Sequence, residues 1–248
     1  MNSTIFRKII IVIAWLSLWQ VVSLVINNPI ILVGPIETIY TLFLKIGDSQ
    51  FLLSVASSLL RITIGFVLAF IIAVTLSFLA YKSSLLADII SPIITLMKTV
   101  PVASVVILLL IWFGSEWLTP LIIFAVVFPI IYVNTLEGFN NVPNKMLEMC
   151  KVFKVGLKPK FMHIYRPNIA PFVLSGIKLA VGMAFKSGVA AEVIGVPKFS
   201  IGEGMYMSKI YFDTASVFAW TLCIIVLSVL FEKIILFCVN KSLKTDGR

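Results

Sequence analysis

Long uncharged apolar runs alternate along the chain with short charged segments, and helical-period stripes are confined to what lies between the runs. A run of about 20 apolar residues is the length a helix needs to cross a hydrocarbon layer, whereas a soluble core reads as short interrupted stripes. The first run covers 9–26, and five more are expected at about 55–81, 88–112, 117–137, 169–192 and 214–239, with no charge at all in 62–81. The pattern predicts an all-α membrane protein of about six transmembrane helices, folded as a single domain over 1–248.

Between the first two runs, Pro35 can occupy a first helical position, and Ile36, Ile39, Tyr40, Phe43 and Leu44 then repeat at helical spacing before Gly47. That predicts an amphipathic helix at about 35–46, lying in the outer interface or packed against the spans. The third and fourth runs contain Pro92, Pro101, Pro120 and Pro129. Kinked helices suit a protein that opens and closes, although proline is also simply common in membrane helices.

The largest segment between runs, 138–167, is periodic. Met146, Met149, Cys150 and Phe153 recur at i, i+3, i+4 and i+7, while Lys145, Glu148, Lys151 and Lys154 project elsewhere. After a break from Gly156 to Pro159, Phe161, Ile164 and Tyr165 form a second stripe that ends at Pro167. The segment reads as helix, turn, helix beneath the membrane, a knob able to enter a groove on a soluble partner. The alternative reading of Glu148 is a solvated face residue.

Composition agrees with the runs: the chain is 60% hydrophobic and 12% charged. Its net charge of +9 would raise nucleic acid for a soluble protein, but the cations sit between apolar runs, as the positive-inside bias requires. With six spans, one side receives Arg7, Lys8, Lys82, Lys145, Lys151, Lys154, Lys158, Lys160, Arg166, Lys241, Lys244 and Arg248, and the other mainly Lys45, Lys198 and Lys209. Both termini are therefore expected in the cytoplasm, with no nucleic-acid partner and the lipid bilayer as surroundings. No small-x-small cleavage site follows the first run, so it reads as a retained helix.

Cys150, Cys223 and Cys238 show no paired spacing, and His163 is the single histidine, so neither a disulfide nor a metal site is expected. No Cys/His or Glu/His constellation offers catalysis. The chain also lacks a phosphate loop; Gly182 with Lys186 and Ser187 misses the second glycine and lies in an apolar run. ATP, if used, is hydrolysed elsewhere.

The fifth run carries Lys178, Lys186 and Glu192, and a charge at mid-bilayer needs a wet or paired setting. With Lys178 at zero on a wheel of about 100° per residue, Gly182 falls near 40°, Ser175 near 60°, Lys186 near 80° and Glu192 near −40°. The expectation is one polar, small-residue face toward a translocation path or a dimer seam, with Phe185 its large apolar exception. In the alternative reading, Lys178 and Glu192 snorkel from opposite ends and Lys186 alone is interior. Lys98, beside the bend expected at Pro101, and Arg61 are further candidates, although each can reach headgroups from a span end.

The loop resembles the coupling motif of ATP-binding-cassette importer permeases, E-A-A, three residues, G, nine residues, I-x-L-P. Glu148, Phe161, Ile164 and Pro167 fall in register, whereas Met149 and Cys150 replace the alanines, Lys154 the glycine and Arg166 the leucine, with Gly156 available to supply the turn two residues late. Gly34-Pro35, Ser58-Leu59-Leu60-Arg61 leading to Gly65-Phe66, Lys98-Thr99-Val100-Pro101, Trp112-Phe113-Gly114, Phe128-Pro129, Asn134-Thr135, Ala191-Glu192, Gly195 and Ile201-Gly202 extend the likeness to the nitrate/sulfonate/taurine branch. The resemblance implies a type I importer permease fold in a bacterial inner membrane. It implies coupling to an ATPase through Glu148, Phe153, Gly156, Phe161, Ile164 and Pro167, and a translocation path near Lys98, Pro101, Lys178, Gly182, Lys186 and Glu192. It further implies a second permease subunit, as a homodimer, two ATP-binding subunits that use ATP and Mg, and an extracytoplasmic solute-binding protein. No cofactor is expected on this chain. A small anion such as a sulfonate, taurine or nitrate would suit the cations, although members of this branch also look suited to neutral or heteroaromatic compounds. A secondary transporter or channel is the alternative, but it leaves the periodic loop unexplained and would show an inverted repeat.

Overall fold

The computed structural model describes residues 2–244, with side chains from 6 to 241. The side chain of Lys244 and the whole of Arg248, both counted above among the cations of one side, lie outside the described residues. Those residues contain ten α-helices and no strand. They are α1 (Asn2–Ile26), α2 (Pro35–Ile46), α3 (Ser49–Lys82), α4 (Ser84–Thr99), α5 (Val102–Asn140), α6 (Asn144–Val152), α7 (Leu157–Lys160), α8 (Arg166–Gly195), α9 (Ile201–Ile210) and α10 (Thr214–Lys244), with a π-helical turn, Phe161–Tyr165, before α8.

Five stretches among the described residues are long and apolar enough to cross a membrane: Phe6–Ile26, Ser49–Lys82, Val102–Asn140, Leu157–Gly195 and Thr214–Lys241. The run expected as one helix over 88–112 is instead broken. Val100 takes an extended conformation (φ −68, ψ 131) ahead of Pro101, as the clash between a proline ring and the preceding residue demands. It thereby separates the 16-residue α4 from α5. Alone, α4 spans about 24 Å at 1.5 Å per residue, short of the ~30 Å hydrocarbon core. Gly114 (φ 72, ψ −177) then interrupts α5. Val106, Leu118, Ile122 and Ala191 share one buried cluster edged by Val102, Val105, Leu109 and Leu110, so the chain folds back on itself at Gly114. The left-handed φ suits glycine, and a Cβ there would meet nothing within 4 Å. Conformation is the constraint at Gly114, and space is not.

The chain divides into two compact units. One takes the chain up to Ser58 together with Val196–Val226. Within it Trp19 Nε1 donates to the Val33 carbonyl at 3.0 Å, Thr214 Oγ1 to that of Ile30 at 2.6 Å, and the Ile201 N–H to Ser58 Oγ at 2.9 Å. Phe51 stacks on Trp220 at 4.3 Å, and Gly204 lies flat against the same indole. In α2, Gly34 is the N-cap, Pro35 opens the helix and Gly47 caps it. Its stripe of Ile36, Ile39, Tyr40, Phe43 and Leu44 is exposed, not buried against the spans.

The second unit is Leu59–Gly195 and the chain from Leu227 on. Its most extensive helix pair is α5 with α8. A Cβ added at Gly188 would lie 2.9 Å from Ile123 Cδ1, at Gly176 3.0 Å from Asn134 Cβ, and at Gly138 3.1 Å from Phe172 Cβ, while Gly195 meets Leu118. Numbers rise along α5 as they fall along α8, so the helices run antiparallel. Small residues at this seam let the backbones approach where apolar burial alone gives no drive, as membrane helices require. Gly65 of α3 presses on α5 in the same way, a Cβ there falling 2.6 Å from the Pro120 carbonyl oxygen.

Candidate functional site

The segment 138–167 forms a knob anchored on one side and open on the other. Cys150 of α6 is buried with Phe139, Val142, Ile164, Tyr165 and Ile169. Tyr81 stacks on Phe139 with ring centroids 5.2 Å apart, and Tyr165 packs edge-on to Tyr81 at 6.0 Å and tilted against Phe139 at 6.1 Å. The ends of α3 and α5, the middle of α6 and the π-helical turn thus meet in a single aromatic base. Ile164 belongs to that base and is buried. Glu148, Phe153, Gly156, Phe161 and Pro167 are all exposed.

The apolar stripe expected on α6 therefore divides. Of its members only Cys150 points inward, joined there by the half-buried Leu147, while Met146, Met149 and Phe153 face out together with Val152. Phe153 is 74% exposed and Leu157, just past the break, 87%. Leu157 and Val152 were not singled out from sequence, although the apolar positions 152, 153, 155 and 157 across a predicted break are the available signal.

The turn after α6 is not made by Gly156. Phe153 is the C-cap, Lys154 takes the left-handed conformation (φ 50), the Lys154 N–H donates to the Lys151 carbonyl at 3.2 Å, and the Val155 N–H reaches back to Cys150 at 2.9 Å. This is the Schellman arrangement, in which the left-handed position favours glycine. Lys154 stands where the coupling motif has its glycine, so the turn is kept and the residue changed. Gly156 has extended angles (φ −62, ψ 162) that any residue adopts, and caps α7.

Nor does the second stripe stop at Pro167. The chain continues from α7 through the π-helical turn into α8, with Pro167 the second residue of that helix. In the wider turn ahead of it the Arg166 N–H donates to the Phe161 carbonyl, five residues back, which leaves room for a ring that has no N–H to continue the ladder.

Along α8, Ser175, Lys178, Gly182 and Lys186 are exposed in one continuous stripe that goes on to Ala190. Glu192 departs from it. Its side chain is 0% exposed, and its Oε1 accepts from Thr119 Oγ1 at 3.4 Å. The stripe advances by four residues more often than by three, so it drifts around the helix and leaves position 192 behind, against α5. Phe185 is likewise buried, edge-on to Phe231 at 5.5 Å, and is no exception on the exposed face. Lys98 and Pro101 are exposed at the α4–α5 break. Arg61 finds a partner that sequence reasoning missed, Glu116, with Nη2 to Oε2 at 2.7 Å.

A set of membrane-length helices with a folded segment at 138–167 accords with the family resemblance. The family model described as "Binding-protein-dependent transport system inner membrane component" matches residues 62–237. The chain belongs to this family. It is accordingly a multi-pass permease subunit of an ATP-driven importer, and not an enzyme. Over 232 residues it is 25% identical to a putative aliphatic sulfonates transport permease protein of Bacillus subtilis, covering 92% of this chain and 83% of the relative. It is 29% identical over 192 residues to a nitrate import permease protein of Synechococcus elongatus (73% and 68% covered). A formylaminopyrimidine transport permease protein of Halalkalibacterium halodurans is 24% identical over 205 residues (82% and 80%).

Proposed function

We propose that the permease receives mechanical work at the knob and passes it to the stripe on α8. The observation that carries this is the division of the knob into a buried aromatic base and an exposed apolar face of Met149, Val152, Phe153 and Leu157. A face of this kind, hung from the ends of the spans, suits a groove on an ATP-hydrolysing subunit, with Glu148 and Phe161 at its margin and Ile164 and Pro167 fixing its angle. Two copies of the chain would enclose the path, each with one ATP-binding subunit, which uses ATP and Mg, and an extracytoplasmic solute-binding protein would deliver the solute. α4 with 102–113 would make the sixth crossing, which leaves both termini in the cytoplasm, on the side favoured by Lys and Arg.

Lys178 and Lys186, with Lys98 beside Pro101 and Gly182 giving room between the two α8 lysines, suit a small anion in the path. Relatives named for aliphatic sulfonates and nitrate support that class. The test is a Phe153→Ser, Leu157→Ser double variant of the assembled importer. Because both side chains are exposed, the permease should be made and solubilised as wild type while the ATP-hydrolysing subunit no longer co-purifies. Undiminished co-purification and solute-stimulated ATP hydrolysis would refute the coupling role. Uptake of sulfonate against nitrate in proteoliposomes then separates the anions.

A further inference from the structure

Within the second unit, a half-open cleft of about 440 Å³ lies among α3, α5, α8 and α10. Phe70, Val74 and Phe78 of α3 form one wall, Ile169 and Val173 of α8 another, and Val239 of α10 a third. Its lining includes no acidic residue, and its one charged member is Arg166, the first residue of α8. Two more cations border it. Lys82, the last residue of α3, holds Nζ 5.7 Å from the ring centroid of Phe78, a wall residue. Lys160 holds Nζ 5.6 Å from the ring of Tyr165, which packs on Phe139, also in the lining.

An apolar cleft running along the ends of membrane-spanning helices, with three cations at the end where α3 stops and α8 starts, has the layout of an amphiphile with an anionic head. We infer that this cleft holds one acyl chain of an anionic phospholipid, whose phosphate sits among Lys82, Lys160 and Arg166. The occupant is argued from charge. Inside a bilayer an acyl chain gains little by exchanging lipid neighbours for side chains, so the apolar walls supply fit and the cations supply selection. Basic pockets between helix ends attract anionic headgroups in this way. Phe161, which belongs both to the lining and to the exposed part of the knob, makes the site adjacent to the coupling surface. That the leaflet is the cytoplasmic one rests on the orientation proposed above; binding itself does not.

The test uses the full-length chain, purified and exchanged into nanodiscs of phosphatidylcholine with a minor share of phosphatidylglycerol. Lipid retained on release into native mass spectrometry is counted, and thermal unfolding is followed in parallel. The wild type should retain phosphatidylglycerol in preference to phosphatidylcholine. Arg166→Gln and Lys82→Gln should each weaken that preference roughly fivefold. Thr75→Trp and Val173→Trp, which fill the cleft from opposite walls and leave every charge in place, should abolish it. Lys8→Gln, outside the lining, should leave it unchanged. Equal retention of both lipids, or fillers that bind like wild type, would overturn the inference. So would a disulfide across Val173→Cys in two copies of the chain, because the cleft would then be a protein seam. None of these readings needs transport or an ATPase, so failure here is distinct from failure of the coupling role.

Discussion

The main-chain N–H of Val155 donates to the carbonyl of Cys150 at 2.9 Å and closes the end of α6 around Lys154. One end of this bond is fixed in the buried base and the other starts the exposed arm, so the aim of the knob depends on a left-handed residue that is not glycine.

Lys154→Gly should therefore stabilise the protein. A left-handed φ costs an L-residue roughly 1–2 kcal/mol, part of which is returned by the added freedom of glycine in the unfolded chain. A gain of about 1 kcal/mol is expected, read as a higher unfolding midpoint in detergent, with ATP hydrolysis still coupled to solute. Lys154→Pro should do the reverse, because proline cannot adopt φ 50 and lacks the N–H that bonds Lys151. An unchanged midpoint in both variants would mean that the turn does not hold the knob.

Much of this architecture is legible from residue pattern. Apolar runs locate the long helices, and Pro35 and Gly47 bound α2, whereas the reversal at Gly114 emerges only from the structure. Four features are not legible, each for a physical reason. The turn at Lys154 depends on a backbone angle that side-chain identity conceals, and a search for glycine goes to Gly156 instead. Pro167 reads as a stop because a regular helix cannot take it there, whereas a π-helical turn can. Glu192 at −40° and Lys186 at 80° bound an arc of about 120° on the wheel, and residue angles alone do not show that α5 covers the Glu192 edge of it. The pairing of Arg61 with Glu116, 55 positions apart, is tertiary and leaves no local trace.

Two glycines should respond in opposite ways to alanine. At Gly65 the added Cβ would lie 2.6 Å from the Pro120 carbonyl oxygen, a backbone atom that cannot swing aside. Gly65→Ala should cost about 1–3 kcal/mol through forced separation of α3 and α5. At Gly182 nothing lies within 4 Å, and Gly182→Ala should gain roughly 0.5–1 kcal/mol from helix propensity. Midpoints measured side by side check the contrast. If Gly182→Ala also slows uptake at normal abundance, the loss belongs to the path and not to the fold.

The two α8 lysines and Glu192 should likewise separate by readout. Lys178 and Lys186 are exposed, so Lys178→Gln and Lys186→Gln should leave stability within about 0.5 kcal/mol while lowering anion uptake. Glu192 is enclosed beside Thr119, and truncating it strands the buried Thr119 hydroxyl. Glu192→Ala should lower stability by roughly 1–3 kcal/mol. Thr119→Val, which keeps the shape and removes the hydroxyl, should lower it by about 1 kcal/mol. Unfolding midpoints and proteoliposome uptake, taken on the same preparations, decide the matter. If Glu192→Ala proved as stable as wild type but inactive, Glu192 would rejoin the lysines in the path, and the drift of the exposed stripe would not describe the working state.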